Sequence, residues 1–410
     1  MGLFLFLWLI AEGAVEYVGL HITLLVMSAV ITIWLNNLPP DNNSDESNEM
    51  EIVDVVEQYY QGKYYYDGTT RHKVNGEIYE VLGVGDGGNF VEAAKWFRKS
   101  AEQNYAPAQY YLGICYYHGN GVEKDFVKAA MWFRKVAEQD FTKIVCEAQS
   151  ALGVCYRDGQ GVSQDYAESV KWFRKAAEKN YADVQNNLGN SYYKGEGVPQ
   201  DYVEAVKWYR KAAEQNDAWA QNNLGVCYAN GEGVPQDYVE SVKWYIKAAE
   251  QGNYLAQRTL GHCYAKGDGV PKDEAEAVKW FHKAADQGDA PAQRRLSYCY
   301  NTGKGVPQDY VEAVKWLRKS AEQNDAKAQF YLGLCYANGE GVETNAVEAY
   351  KWYHLASAQG NESAKKNLAV REQKMTPEQI AEGQKLAREF KPHTATDSGN
   401  SISGENLPDA

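Results

Sequence analysis

Positive charge is scarce in this 410-residue sequence, where 42 Lys and Arg face 55 Asp and Glu for a net charge of −13. A chain so acidic lacks the basic face that nucleic-acid phosphates require, so no nucleic-acid partner is expected. The shortage is sharpest at the start. No Lys or Arg precedes Lys63, while Asp41, Asp45, Glu46, Glu49, Glu51, Asp54 and Glu57 crowd one short stretch. Histidine is sparse too: the 7 His, among them His118, His262, His282 and His354, fall at unequal positions. Neither a Ser–His–Asp constellation nor a convergent set of metal ligands is legible. No catalytic residue, metal or cofactor is therefore expected, and the chain reads as a non-enzyme.

What the sequence has in abundance is repetition, and a fixed period overrides local reading. Trp recurs at 96, 132, 172, 208, 244, 280, 316 and 352, spaced by 36 residues except for one interval of 40. The extra residues fall near 140–144, where a loop is expected to absorb them. Leu112, Leu152, Leu188, Leu224, Leu260, Leu296 and Leu332 each open an L-[GS]-x-[CS]-Y word on the same beat.

The unit starting at Asn216 shows what each repeat encodes. Ala220, Leu224, Cys227 and Tyr228 make an i, i+4, i+7, i+8 stripe, the buried face of a helix. Gly225 inside that helix costs about 1 kcal/mol relative to Ala. It recurs in six of seven units, with Ser297 as the exception, which points to a close neighbour there. Gly231-Glu232-Gly233-Val234-Pro235 then gives a turn with two glycines free to take positive φ. Asp237 is a predicted N-cap with Glu240 closing a capping box. Ser241, Val242, Tyr245, Ala248 and Ala249 form the inward stripe of a second helix, and Gly252 ends it. Each unit is a helix-turn-helix that can bury its apolar face only by stacking on neighbours. Trp244 is expected between its own repeat and a neighbour.

Cys115, Cys155, Cys227, Cys263, Cys299 and Cys335 share one position of the repeat, with Ser191 in the remaining unit. Equivalent positions in adjacent helices lie roughly 8–10 Å apart, beyond the span of about 7 Å that a disulfide tolerates. These thiols read as small buried hydrophobes, and so many free thiols point to a reducing, cytoplasmic compartment. Gly83-Val84-Gly85-Asp86-Gly87-Gly88 matches G-x-G-x-x-G after a strand-like stretch at 78–82. In the register set by Trp96, however, Gly83 and Gly85 are the ordinary glycines of an inter-helix turn.

The words A-x-A-Q-x-x-L-G-x-x-Y-x-x-G-x-G-V and D-x-x-x-A-x-x-W-Y-x-K-A-A-E-Q resemble the Sel-one-like repeat, a relative of the tetratricopeptide repeat. Seven full copies cover residues 105–360, a half copy (89–103) precedes them and a partial copy (363–371) follows. The resemblance implies an all-α, right-handed α/α superhelical solenoid of about seven full 36-residue repeats plus caps, acting as scaffold or adaptor for proteins or extended peptides. It also implies a concave face built from residues five and two before the helix Leu and two, five and six after it. Carried over, the first repeat offers Tyr110 and Tyr117, the third Asn186, Asn190 and Lys194, and the fourth Trp219 and Asn222. The fifth offers Arg258, His262 and Lys266, and the sixth Arg294 and Tyr298. Asn223 stands where related repeats use an amide to hold peptide backbone. These slots vary while the rest of each unit is nearly constant. A cysteine-rich branch of the same family includes β-lactam hydrolases, so an exported hydrolase or cell-wall-binding protein is the alternative; the second cysteine of each of its pairs is missing here.

The solenoid is expected over 89–371, with an acidic linker and degenerate cap at 39–88. A C-terminal capping helix is expected at 372–391, opening at Thr376-Pro377-Glu378-Gln379, and a disordered tail at 392–410. Residues 1–38 hold an apolar segment, of which 17–35 suffices to cross a bilayer, a span of about 20 residues. Tyr17 and Trp34 at its ends suit the membrane interface. A single-pass anchor is the expectation. A cleaved signal peptide with its core at 3–10 lacks the usual positive leader, and a buried helix is a third reading.

Overall fold

The computed structural model describes residues 46–68, 70–74, 77–81, 88–139 and 143–393. They form an all-α tandem-repeat solenoid: 18 helices and one two-stranded hairpin among the described residues. The chain divides into two compact units, one ending at Gln164 and the other beginning at Asp165.

The first unit holds α1 (Glu46–Asp67), β1 (Thr70–Val74), β2 (Glu77–Val81), α2 (Phe90–Glu102), α3 (Ala106–His118), α4 (Phe126–Ala137) and α5 (Lys143–Asp158). The strands pair antiparallel, Thr70 opposite Val81 and Val74 opposite Glu77. The stretch 39–88, expected as linker and cap, thus contains a long helix and a hairpin. Moreover, α1 packs on α2 as a first helix packs on its second. Gly62 lies against the Phe97 ring as Gly113 lies against Phe133, and Gly68 (φ 74°) ends α1 in the left-handed conformation. The half copy at 89–103 is the second half of a full pair whose inter-helix turn has grown into the hairpin. Residues 82–87, which include all of the glycine motif but Gly88, lie outside the described residues.

The 140–144 insertion is not all loop. Helix α5 starts at Lys143 and runs 16 residues, against 13 for α3. Part of the extra length continues the helix N-terminally.

The second unit repeats one pair. Its helices are α6 (Tyr166–Ala177), α7 (Ala182–Lys194), α8 (Tyr202–Glu214), α9 (Ala218–Asn230), α10 (Tyr238–Glu250), α11 (Tyr254–Lys266) and α12 (Glu274–Asp286). They continue as α13 (Ala290–Thr302), α14 (Tyr310–Glu322), α15 (Ala326–Asn338), α16 (Ala346–Ala358), α17 (Glu362–Glu372) and α18 (Pro377–Glu389). Repeats three to seven are the pairs α7/α8, α9/α10, α11/α12, α13/α14 and α15/α16.

Each second helix opens on an Asp or Asn whose carboxylate or amide oxygen accepts from the backbone N–H three residues on, as Asp237 does from Glu240 at 3.0 Å. Each first helix stops at a glycine such as Gly231 (φ 74°). Two residues later Gly233 (φ 73°) passes so close to the Tyr202 carbonyl of the preceding repeat that any Cβ would overlap it. The helical glycine is explained by the second helix of its own repeat: a Cβ on Gly225 would sit 2.7 Å from the Tyr245 ring. The large residue after each Trp, aromatic except at Leu317, therefore needs the small residue facing it. Trp244 packs against the cluster formed by α8 and α9, so it spans its own repeat and a neighbour, the preceding one. Lys247 caps its ring face at 3.9 Å.

At the C-terminal end Thr376 and Gln379 close the capping box of α18, and Gly383 packs on Tyr350. Phe390 meets Trp352 edge-on at 5.6 Å, and the His393 N–H donates to the Glu322 carbonyl at 2.8 Å. The chain is thus still bound to the solenoid at His393, one residue beyond the expected start of the tail; residues 394–410 lie outside the described set.

Candidate functional site

Two layers of polar groups meet on the first helices, one constant and one variable. The constant layer is a ladder of glutamines. Gln109, Gln149, Gln185, Gln221, Gln257, Gln293 and Gln329 each donate Nε2 to an Ala carbonyl of the preceding second helix at 3.0–3.2 Å. Six of them accept, at 2.7–2.9 Å, from the Gln that ends the second helix of their own repeat. Sequence reasoning passed over this ladder, although the recurring Gln of A-x-A-Q and of A-E-Q carries its signal. Each buried amide satisfied in this way fixes one repeat on the next.

The variable layer holds the slots. In the first unit Tyr110 is half-buried and tilts on Phe133 at 5.8 Å, burial raising its phenol pKa. Tyr117 donates its hydroxyl to Gln160 and packs edge-on against Phe126 at 5.2 Å. Burial pushes its pKa up to about 12.

Repeats three and four bring the amides together. Asn223 donates Nδ2 to Asn186 at 2.9 Å and to Asn190 at 3.2 Å, and Asn190 also accepts from the Tyr209 hydroxyl at 2.8 Å. Asn222 donates to Asn223 at 3.4 Å. Asn186, Asn222 and Asn223 are only 2%, 4% and 6% exposed. They were expected to be presented to a partner; instead they bond to one another. The reason is geometric: Asn223, just before its helix Leu, faces the neighbouring first helix and meets the amides two before and two after Leu188. Lys194 is exposed, and Trp219 packs edge-on against Tyr254 at 6.0 Å.

Beside the amides sit two carboxylates. Asp217 caps α9 by accepting from the Ala220 N–H at 2.6 Å. Burial, and then the neighbouring Asp183 carboxylate, push its pKa up to about 6 against the pull of that N–H.

Repeats five and six replace amides by cations. Arg258 Nη1 reaches Asp289 Oδ2 at 2.8 Å, and Arg294 Nε reaches Asp325 at 3.2 Å. Both carboxylates are also N-caps, of α13 and α15. The two arginines, expected as free peptide-binding cations, are tied to the next repeat. His262 lies edge-on to Phe281 at 5.0 Å. Burial, and then Arg295, Arg258, Lys266 and Arg294, pull its pKa down to about 4. Tyr298 is 45% exposed, its hydroxyl accepting from Lys304 Nζ at 2.9 Å.

All seven cysteines are free thiols, and burial pushes Cys115 and Cys227 up to about 12. Among the described residues no cluster of His, Cys, Asp or Glu could hold a metal ion. Nor is any helix among them long and apolar enough to cross a membrane. The anchor expected within 1–38 lies outside the described residues.

A comparison with curated proteins finds no match. Among solved structures the chain is similar to a Sel1 repeat protein from Oxalobacter formigenes, with 28% identity, TM-score 0.57, and coverage of 84% of this chain and 93% of that one. It also matches a protective antigen present in uropathogenic Escherichia coli strains displaying an SLR fold, with 27% identity, TM-score 0.47, and coverage of 90% and 100%. The Sel1 repeat matches eight segments: residues 82–105, 106–141, 146–181, 182–217, 220–253, 255–289, 290–325 and 326–361. Glutamine ladder, helical glycine and aromatic partner recur in most of them as one structural unit, and the chain belongs to the Sel1 repeat family.

Proposed function

We propose that this chain is a scaffold that holds partner proteins or extended peptides on the first-helix face of its repeats. The fold is one typical of protein–protein interaction scaffolds and is typically non-enzymatic. The observation that carries the reading is the contrast between layers: an invariant ladder fixes the backbone, while the slots beside it differ from repeat to repeat. Lys194, Trp219, Lys266 and Tyr298 are the slot residues best placed to touch a partner, since their outer atoms are not consumed by the frame. Asn186, Asn190, Asn222, Asn223, Arg258 and Arg294 shape the face from beneath and His262 extends it, while Tyr110 and Tyr117 hold slots of the same kind within the first unit. Aromatic and cationic groups together suit an extended peptide, with rings taking side chains and cations taking carboxylates or backbone oxygens.

Affinity capture with mass spectrometry tests the reading. Trp219→Ala combined with Tyr298→Ala should lose the partners captured by the parent while melting within a few degrees of it. Capture of the same partners in undiminished yield would reject the face. Residues 17–35 would tether the scaffold to a membrane; a full-length, uncleaved chain that fractionates as soluble would reject the tether.

A further inference from the structure

The chain is acidic overall, yet five cations gather on one short stretch of the first-helix face. Arg258 and Lys266 flank His262 by one helical turn on α11. Arg294 and Arg295 approach from α13, and Lys304 follows in the turn. Asp289 and Asp325 neutralise Arg258 and Arg294. Lys304 is held over Tyr298, 2.9 Å from its hydroxyl and 5.1 Å from the ring centroid. Lys266 and Arg295 are exposed, and among the described residues neither forms an ion pair. The other carboxylates nearby are Asp268 and Glu274, the latter paired with Lys272 at 3.0 Å. Positive charge is left in excess.

The arrangement is local. Asn186, Asn190 and Asn223 hold the three positions that Arg258, His262 and Arg295 hold two repeats later, and there they close on one another. In repeats five and six the same three positions hold two cations and an imidazole, and no such closure forms. The imidazole of His262 is kept neutral among its neighbours. Such a cluster lowers its own energy by taking up an anion.

We propose that the first-helix face of repeats five and six docks an acidic segment of a partner protein, with Lys266, Arg295 and Lys304 taking Asp or Glu side chains beside the Tyr298 ring. This rests on the reading of that face as the binding face and names the chemistry of its ligand. A nucleic acid is disfavoured because the patch spans only two repeats of a chain with net charge −13.

Fluorescence anisotropy on the full chain tests this, with an acetylated, amidated Glu-rich peptide as probe. A Gln version of the same peptide and a single-stranded oligonucleotide serve as comparators. The Glu peptide should bind at least about tenfold tighter than the Gln peptide, and less tightly as salt rises, since exposed charges are screened. Lys266→Ala with Arg295→Ala should lose at least about tenfold, whereas Lys171→Ala with Lys207→Ala, on second helices, should bind like the parent. Should the first double variant fail to fold, the Glu-to-Gln ratio of the parent still decides. Equal binding of the two peptides, preference for the oligonucleotide, or a patch variant that binds like the parent would each overturn the proposal. If the acidic probe fails while native partners are still lost from the Trp219→Ala, Tyr298→Ala variant, only the charge assignment falls. If those partners are retained as well, the face itself falls.

Discussion

Repeats three and four and repeats five and six share a backbone and use the same helix positions, but fill them with different chemistry. In the first pair, amides bond across the junction from Asn223 to Asn186 and Asn190. In the second, Arg258 occupies the place of Asn186 and reaches further, to the N-cap Asp289 of the next repeat. Where no arginine arrives, the corresponding cap Asp217 meets Asp183 instead. The ladder beneath is the same in both, Gln215 to Gln185 and Gln287 to Gln257 at 2.7 Å each. A solenoid can therefore vary this layer of side chains without disturbing the layer that sets its geometry.

The largest expected effects fall on the shared frame. Tyr209→Ala in repeat three and Phe281→Ala in repeat five should each cost about 3–5 kcal/mol, because both rings are buried over a helical glycine. Urea denaturation of the two variants should give similar losses; a large loss in one alone would break the claim of a common frame. Next comes Asp289→Ala, which removes an N-cap and leaves Arg258 without its 2.8 Å partner. It should cost about 2 kcal/mol, and Asp289→Asn, which can still cap, should recover part of that. Full recovery in Asp289→Asn would show that the ion pair is idle.

Asp217 should make the acidic junction sensitive to pH. Its folded pKa, about 6, lies above the unfolded value of about 3.9. A group raised in this way favours the fold at low pH, and that contribution is lost as pH rises through about 6. The parent should therefore lose about 1 kcal/mol of stability between pH 4 and 7 that Asp217→Asn does not lose. Parallel stability curves for the two proteins would contradict the Asp183–Asp217 contact. The smallest effect belongs to Tyr209→Phe, which removes one hydrogen bond to Asn190 and should cost about 1 kcal/mol. Phe281 already lacks that hydroxyl, so a loss near zero would make the two regions more alike than the geometry says.

Much of this was legible in the sequence because period and pattern agree. Trp spacing, the glycine stop, the Asp cap and the small residue at the crossing each have a local cause that a single unit displays. The first pair was not legible, because Gln61 stands in α1 where later repeats carry Leu, Lys63 follows Gly62 where no later repeat carries a Lys, and the hairpin breaks the period. Lys63 is accommodated by pairing with Asp67 and donating to the Tyr111 hydroxyl at 3.1 Å. The slot positions were readable as a set. Their partners were not, since whether Arg258 meets solvent or Asp289 depends on how one repeat rests on the next. The recurring polar residue that opens the first helices of repeats four to seven, Asp217, Asn253, Asp289 and Asp325, was the signal that could have found them.

The central claim is that partners are held on the first-helix face, and photo-crosslinking tests it most directly. A photoreactive residue placed at Tyr298, 45% exposed on α13, is compared with one at Val239, 56% exposed on the second helix α10. Crosslinks to captured partners from position 298 and none from 239 are the predicted result; crosslinks from 239 with none from 298 would contradict it.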